Sequence, residues 1–209
     1  MLQQGLYLIT PDWSDSTHLL QQLEAVLRVG PVLLQYRNKS LGPAACLQQA
    51  QAVAALCRDA GVPLIVNDDA ELARAVRAAG VHLGQEDGAV SAARALLGPR
   101  AIIGVSCYAS VERALQAQRD GADYVAFGAV FPSSTKPNAV RAPLSLFATS
   151  RAELALPRVA IGGIQVDNAA EVIAAGADQL AVISDVFESA DPVARAATYV
   201  QLFTRAVRQ

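Results

Sequence analysis

Residues 64–87 read LIVNDDAELARAVRAAGVHLGQED. An apolar run, Leu64-Ile65-Val66, stops at Asn67-Asp68, and Ala70 to Ala79 has helical character. A second apolar run, Val81-His82-Leu83, stops at Gly84-Gln85-Glu86-Asp87. Two short buried strands joined by a helix make a βαβ unit, whose strands are parallel and end on the same face. Asp68 and Asp87 then lie close together at the ends of adjacent strands. Two carboxylates beside an Asn and a Gln repel each other unless a proton or a cation intervenes.

The same strand-then-helix unit recurs on both sides of this stretch. Strands are expected at Gly5 to Thr10, Val32 to Tyr36, Ala101 to Val105, Tyr124 to Phe127, Arg158 to Ile161 and Gln179 to Ile183. Helices are expected from a cap at Ser14, Asp15 or Ser16 to Val29, and from Gly42-Pro43 to Ala60. Further helices are expected over Val90 to Leu97, after a Ser110 cap to Gly121, over Leu144 to Leu154, from Val166 or Asp167 to Ala175, and from Pro192 to Val207. The strands are near-continuous apolar runs, the pattern of a parallel sheet covered on both faces. The joints AGV, DGADYVAFG and AGADQLAVIS form a weak internal repeat. Eight units predict a single-domain α/β (β/α)₈ TIM barrel over residues 1–209, at the lean end of the usual size range. A doubly wound open sheet is the alternative, and no GxGxxG follows the first strand to support a dinucleotide version.

Composition narrows the function. The chain has 209 residues, 53% of them apolar, and a net charge of −2. Near-balanced charge argues against a nucleic-acid or anionic-membrane partner. No apolar run approaches a membrane span, and MLQQGLYLIT lacks the layout of a signal peptide. Cys46, Cys57 and Cys107 show no CxxC spacing, so zinc and a disulfide framework are not expected and a reducing, cytoplasmic location is. Cys46 and Cys57 fall at a similar helical angle and read as small core residues. Nothing in the sequence excludes a homo-oligomer.

Polar and glycine residues collect at the carboxyl ends of the strands, the face on which barrel enzymes place their sites. They are Gln35, Arg37 and Lys39 after the second strand; Asn67 and Asp68; Gln85 and Asp87; Ser106; Ser133, Thr135 and Lys136 in a long loop from Gly128 to Pro143; Gly162-Gly163; and Ser184. Structural readings stand beside the functional ones. Arg37 and Lys39 could be surface cations, Asp68 with Glu71 could be a capping box, and Asp87 could be a turn residue. His82 reads as a packed strand histidine and His18 as a solvated one. Cations and amide or hydroxyl donors fit phosphate oxygens, and two carboxylates fit Mg²⁺. The set lacks a Ser/His/Asp or Cys/His nucleophile pair, so the chemistry expected is electrostatic stabilisation of an anionic leaving group.

The segments GLYLIT, LLQYRNK, LIVND, GVHLGQED, IIGVS, GADYVAFGAVFPSSTK, VAIGGI and AVIS, in that order over nearly the whole chain, resemble the thiamine-phosphate synthase (thiamine-phosphate pyrophosphorylase) family. The resemblance implies a Mg²⁺-dependent transferase. It would join hydroxymethylpyrimidine diphosphate to a thiazole phosphate, or its carboxylated form, releasing pyrophosphate and thiamine phosphate by a dissociative route. It implies that Gln35, Arg37, Lys39 and Asn67 hold the pyrimidine diphosphate and that Asp68 and Asp87 bind Mg²⁺. Ser106 and Lys136 would contact the diphosphate, with Lys136, Ser106 and Arg37 as the catalytic groups. Ser133 and Thr135 would bind the thiazole, and Gly163, Ile183 and Ser184 its phosphate.

The chain departs from the family at Ser133-Ser134, at Asn138 and Arg141 in the long loop, and at Cys107-Tyr108 after Ser106. Its small-molecule substrates leave three rival readings. One is the family's thiazole tautomerase paralogue, which carries a histidine where this chain has Ala129. The others are a non-catalytic thiazole phosphate binder and an unrelated phosphate-binding barrel isomerase.

Overall fold

Strand–helix alternation runs through the whole computed structural model, which describes residues 2–132 and 141–206. The strands are β1 (Gly5–Ile9), β2 (Leu33–Tyr36), β3 (Leu64–Asn67), β4 (Gly80–Leu83), β5 (Ile102–Tyr108), β6 (Tyr124–Gly128), β7 (Arg158–Ile161) and β8 (Gln179–Val182). They pair in parallel in sequence order, and β8 closes on β1. The helices are α1 (Ser16–Leu27), α2 (Pro43–Ala60), α3 (Ala70–Ala75), α4 (Val90–Leu97), α5 (Val111–Arg119), α6 (Ser145–Ser150), α7 (Val166–Ala174), α8 (Ser184–Phe187) and α9 (Pro192–Ala206). The architecture is the (β/α)₈ barrel expected. None of the described helices is long and apolar enough to cross a membrane.

Alternation along each strand sorts two cores. Leu6, Leu8, Leu34, Val81, Val125 and Phe127 point outward to the helices. Tyr7, Ile9, Leu33, Ile65, Tyr124 and Ala126 fill the barrel interior. The repeated Gly-Ala-Asp joints have a physical role at the opposite end from the site. The Asp123 carboxylate accepts from Ile103 N (2.7 Å) and Arg94 Nη2 (2.7 Å). Asp178 accepts from Arg158 N (2.9 Å) and Arg158 Nη2 (3.0 Å). Each aspartate ties the entry of its strand to the strand before it.

Some local expectations change. The cap of α3 is Asp69, which accepts from Leu72 N (2.8 Å), so Asp68 is not the capping residue. Helix α3 stops at Ala75, short of Ala79, because Arg77 turns into the left-handed region (φ 55°) and Ala78 N bonds back to Ala73 O (2.9 Å). Strand β5 continues past Val105 to Tyr108, with a register shift between Ser106 and Tyr108. The short α8, directly after β8, was not expected: four residues carry no helical periodicity.

Cys57 and Cys107 are buried in the outer core, and Cys46 is half-buried beside Tyr36; all three are free thiols. Burial pushes the Cys57 and Cys107 thiols up to about 12. Since the thiolate is the reactive form, alkylation of the native protein near neutral pH should label Cys46 first and spare the other two. Mass spectrometry of the modified peptides checks this; early labelling of Cys57 or Cys107 would contradict the packing.

Candidate active site

A cavity of about 590 Å³ opens at the carboxyl ends of the strands. One wall carries charge. Beyond β2 the chain is pinned by Thr10, whose Oγ1 accepts from Arg37 N (2.9 Å) and donates to Arg37 O (2.8 Å). Asn38 bonds Trp13 O and Gln49 Oε1, both at 2.9 Å. Asp12 then takes the Arg37 guanidinium (2.5 Å) and Lys39 N (2.9 Å). Arg37 is thereby fixed, its side chain only 15% exposed. Lys39 Nζ reaches 3.5 Å from the Asp68 carboxylate. Sequence reading did not single out Asp12, because nothing in a lone aspartate after a Thr-Pro signals a partner 25 residues away.

The two aspartates meet as expected. Asp68 sits in the left-handed region (φ 64°), where Asp and Asn are among the few tolerated side chains. Asp87 folds back so that its Oδ2 accepts from Gly84 N (2.7 Å). Burial, then the hydrogen bond and charge of Asp87, raise the Asp68 carboxyl above the ordinary range, and Lys39 offsets part of this. A carboxylate pair that is electrostatically uncomfortable alone, on a cavity rim beside a cation, fits a hard divalent ion with oxygen ligands.

The opposite rim is backbone. Gly162 (φ 98°) and Gly163 (φ 65°) end β7. A Cβ on Gly162 would lie 2.6 Å from Ala129 Cβ, and one on Gly163 would lie 2.7 Å from Phe131 Cβ. Only glycine lets the β6 and β7 loops approach this closely. The neighbouring β8 loop, with Ile183 and Ser184 on the cavity, is anchored from behind. Asp185 accepts from Tyr199 Oη (2.7 Å), Val166 N (3.3 Å) and Arg195 Nη1 (3.3 Å). Loops after strands seven and eight are the common phosphate site of barrels.

The cavity floor is polar, which the strand pattern did not reveal. His82, 7% exposed, is packed as expected, but it faces the cavity and both ring nitrogens are engaged: Nδ1 with Tyr124 Oη (3.0 Å) and Nε2 with Ser106 Oγ (2.8 Å). Tyr124 also meets Tyr7 Oη (2.8 Å), which accepts from Gln35 Nε2 (2.9 Å). Gly104 makes this possible. It stands in register between His82 on β4 and Tyr124 on β6, and a Cβ there would fall on the Tyr124 ring at Cζ and Oη. Gly104→Ala should therefore overpack the floor and lower stability by about 1–3 kcal/mol or more. A urea midpoint equal to that of the parent would rule this out.

The structure thus brings Gln35, Arg37, Lys39, Asn67, Asp68, Asp87, Ser106, Gly163, Ile183 and Ser184 to one cavity. Ser133, Thr135 and Lys136 lie outside the described residues. Tyr108, just beyond Ser106, also reaches the cavity, under the Arg113 guanidinium (5.6 Å to the ring centroid).

A closed barrel with cations, a carboxylate pair and a glycine rim at the carboxyl ends of its strands defines the class: a (β/α)₈ enzyme acting on small molecules. A sequence model of the family described as thiamine monophosphate synthase matches residues 6–186. The thiamine-phosphate synthase of Aromatoleum aromaticum is 62% identical over 96% of each chain. That of an Azoarcus species is 60% identical over 96% of this chain and 97% of its own. The thiamine phosphate pyrophosphorylase of Pyrococcus furiosus superposes with a TM-score of 0.86 at 32% identity, covering 98% of this chain and 97% of that one. The chain belongs to the thiamine monophosphate synthase family and is a transferase.

Proposed function

We propose that the protein joins hydroxymethylpyrimidine diphosphate to thiazole phosphate, with Mg²⁺ as cofactor, releasing thiamine phosphate and pyrophosphate. The observation that carries this reading is the layout of one cavity: Arg37, Lys39 and the Asp68–Asp87 pair line one rim, with Lys39 on Asp68, and Gly162-Gly163 and Ser184 form the other. The charged rim suits a diphosphate and its metal. The glycine rim suits a single phosphate. Two anionic substrates can therefore lie head to head with the reacting carbon and nitrogen between them, which is how positioning lowers a bimolecular barrier.

Asp68 and Asp87 would hold the ion, and a bound Mg²⁺ would neutralise charge on the diphosphate oxygens. Arg37, fixed by Asp12, offers a rigid fork to those oxygens, and Lys39 adds a point charge. Ser106 donates a hydrogen bond to the diphosphate side, and Lys136 meets the charge that grows as the carbon–oxygen bond breaks. Gln35 and Asn67 orient the pyrimidine, while Ser133 and Thr135 contact the thiazole. Gly163, Ile183 and Ser184 receive the thiazole phosphate. Pyrophosphate departs from the pyrimidine methylene, and the thiazole nitrogen captures the cation left behind. The three free thiols support a reducing, cytoplasmic setting.

The deciding experiment is product formation: the purified protein, both substrates and Mg²⁺ should yield thiamine phosphate and pyrophosphate. No product, or conversion of the thiazole phosphate alone, would overturn the reading. Because any side chain at Gly163 clashes with the Phe131 segment, Ser184 is the cleaner probe of the phosphate rim. Ser184→Ala should raise the KM for thiazole phosphate severalfold and leave that for the pyrimidine diphosphate near the parent value. Equal effects on both would reassign the rim.

A further inference from the structure

An unbroken run of hydrogen bonds crosses the barrel floor, from Gln35 on β2 through Tyr7 on β1, Tyr124 on β6 and His82 on β4 to Ser106 on β5. The links measure 2.9, 2.8, 3.0 and 2.8 Å. Its direction follows from proton counting. Gln35 Nε2 can only donate, so Tyr7 Oη accepts from it; no other acceptor engages Tyr7 Oη among the described residues, so its own proton goes to Tyr124. Tyr124 then sends its proton to His82 Nδ1. The imidazole therefore carries its hydrogen on Nε2 and donates to Ser106 Oγ. That leaves the Ser106 hydroxyl proton directed away from His82, toward the cavity it lines. At the other end, no hydrogen bond engages Gln35 Oε1 among the described residues, and Gln35 lines the same cavity beside Arg37 and Lys39. Those cations favour the negative end of the amide on that side. Burial raises both tyrosine hydroxyls, so each stays protonated and has one proton to give.

We propose that Tyr7, Tyr124 and His82 are positioning residues forming a polarity relay, which locks an acceptor at Gln35 to a donor at Ser106 across the cavity floor. Turning the Gln35 amide over would reverse every link and leave Ser106 presenting only lone pairs. The two ends are read together, and the ligand selected carries a hydrogen-bond donor at the Gln35 end and an anion at the Ser106 end. An aminopyrimidine bearing a diphosphate has both. That last assignment rests on the function proposed above; the relay itself is a property of the free protein.

The test uses ¹⁵N-histidine NMR on the intact, ligand-free protein, with exposed His18 as the reference, at mildly alkaline pH. Nitrogen shifts distinguish the two neutral tautomers. His82 should be the Nε2–H form; an Nδ1–H form would overturn the relay with no variant needed. Gln35→Glu replaces a donor by a carboxylate that only accepts, so Tyr7 must donate to it and the chain must reverse. His82, three groups away, should change almost wholly to the Nδ1–H tautomer, and an unchanged tautomer would refute the proposal. In Gln35→Glu combined with Tyr7→Phe the wire is cut, and the change should vanish. Its persistence would mean that the carboxylate acts through space, which also overturns the relay. None of these readings uses substrate, so they fail independently of the product assay.

Discussion

Asp87→Asn should lower turnover by at least about 10²-fold at ordinary Mg²⁺, with part of the loss recovered at high Mg²⁺. A metal clamp on a departing diphosphate is worth several kcal/mol, and about 1.4 kcal/mol is tenfold in rate. Asparagine keeps the oxygen that accepts from Gly84 N, so the loop keeps its shape and loses only its charge. Asp68→Asn should lower turnover by a similar factor. It should not lower thermal stability measured in chelator, for two reasons. The helix is capped by Asp69, and asparagine tolerates the left-handed backbone at position 68. The Asp68 charge is also disfavoured in the fold by burial and by Asp87. Full activity in excess chelator would sink the metal assignment, and unfolding of Asp68→Asn would sink the assignment of the cap.

Lys136→Ala should lower kcat and kcat/KM together by about 10²–10³-fold, the usual loss when one preorganised donor to developing charge is removed. Leaving-group charge grows as the bond breaks, so a cation there gains more in the transition state than in the ground state. The sequence sets Lys136 between Thr135 and Pro137. Lys136→Arg should recover only part of the rate, because a planar fork does not replace a point charge. An unchanged kcat with a raised KM for the pyrimidine diphosphate would make Lys136 a ground-state binder only.

Much of this molecule was legible in one dimension. Continuous apolar runs ending in polar groups, repeated eight times, are what a parallel sheet covered on both faces requires. They dictated the barrel and, with it, the face on which Asn67, Asp68, Asp87 and Ser106 would meet. Side-chain chemistry then pointed to phosphates and a divalent ion. Asp68 and Asp69 are adjacent and chemically equal, and only the backbone turn at φ 64° decided which caps the helix and which faces the cavity. Tyr7, Tyr124 and His82 look like ordinary strand residues. They became a polar floor because closure of the barrel stacks inward positions from different strands into one layer, and because Gly104 leaves a gap that the Tyr124 ring crosses. Asp12 and Asp185 brace the two rims through partners far away in sequence. Local pattern fixes which way a side chain points along its own strand, whereas hydrogen bonds across the barrel depend on register and closure, which only the folded chain supplies.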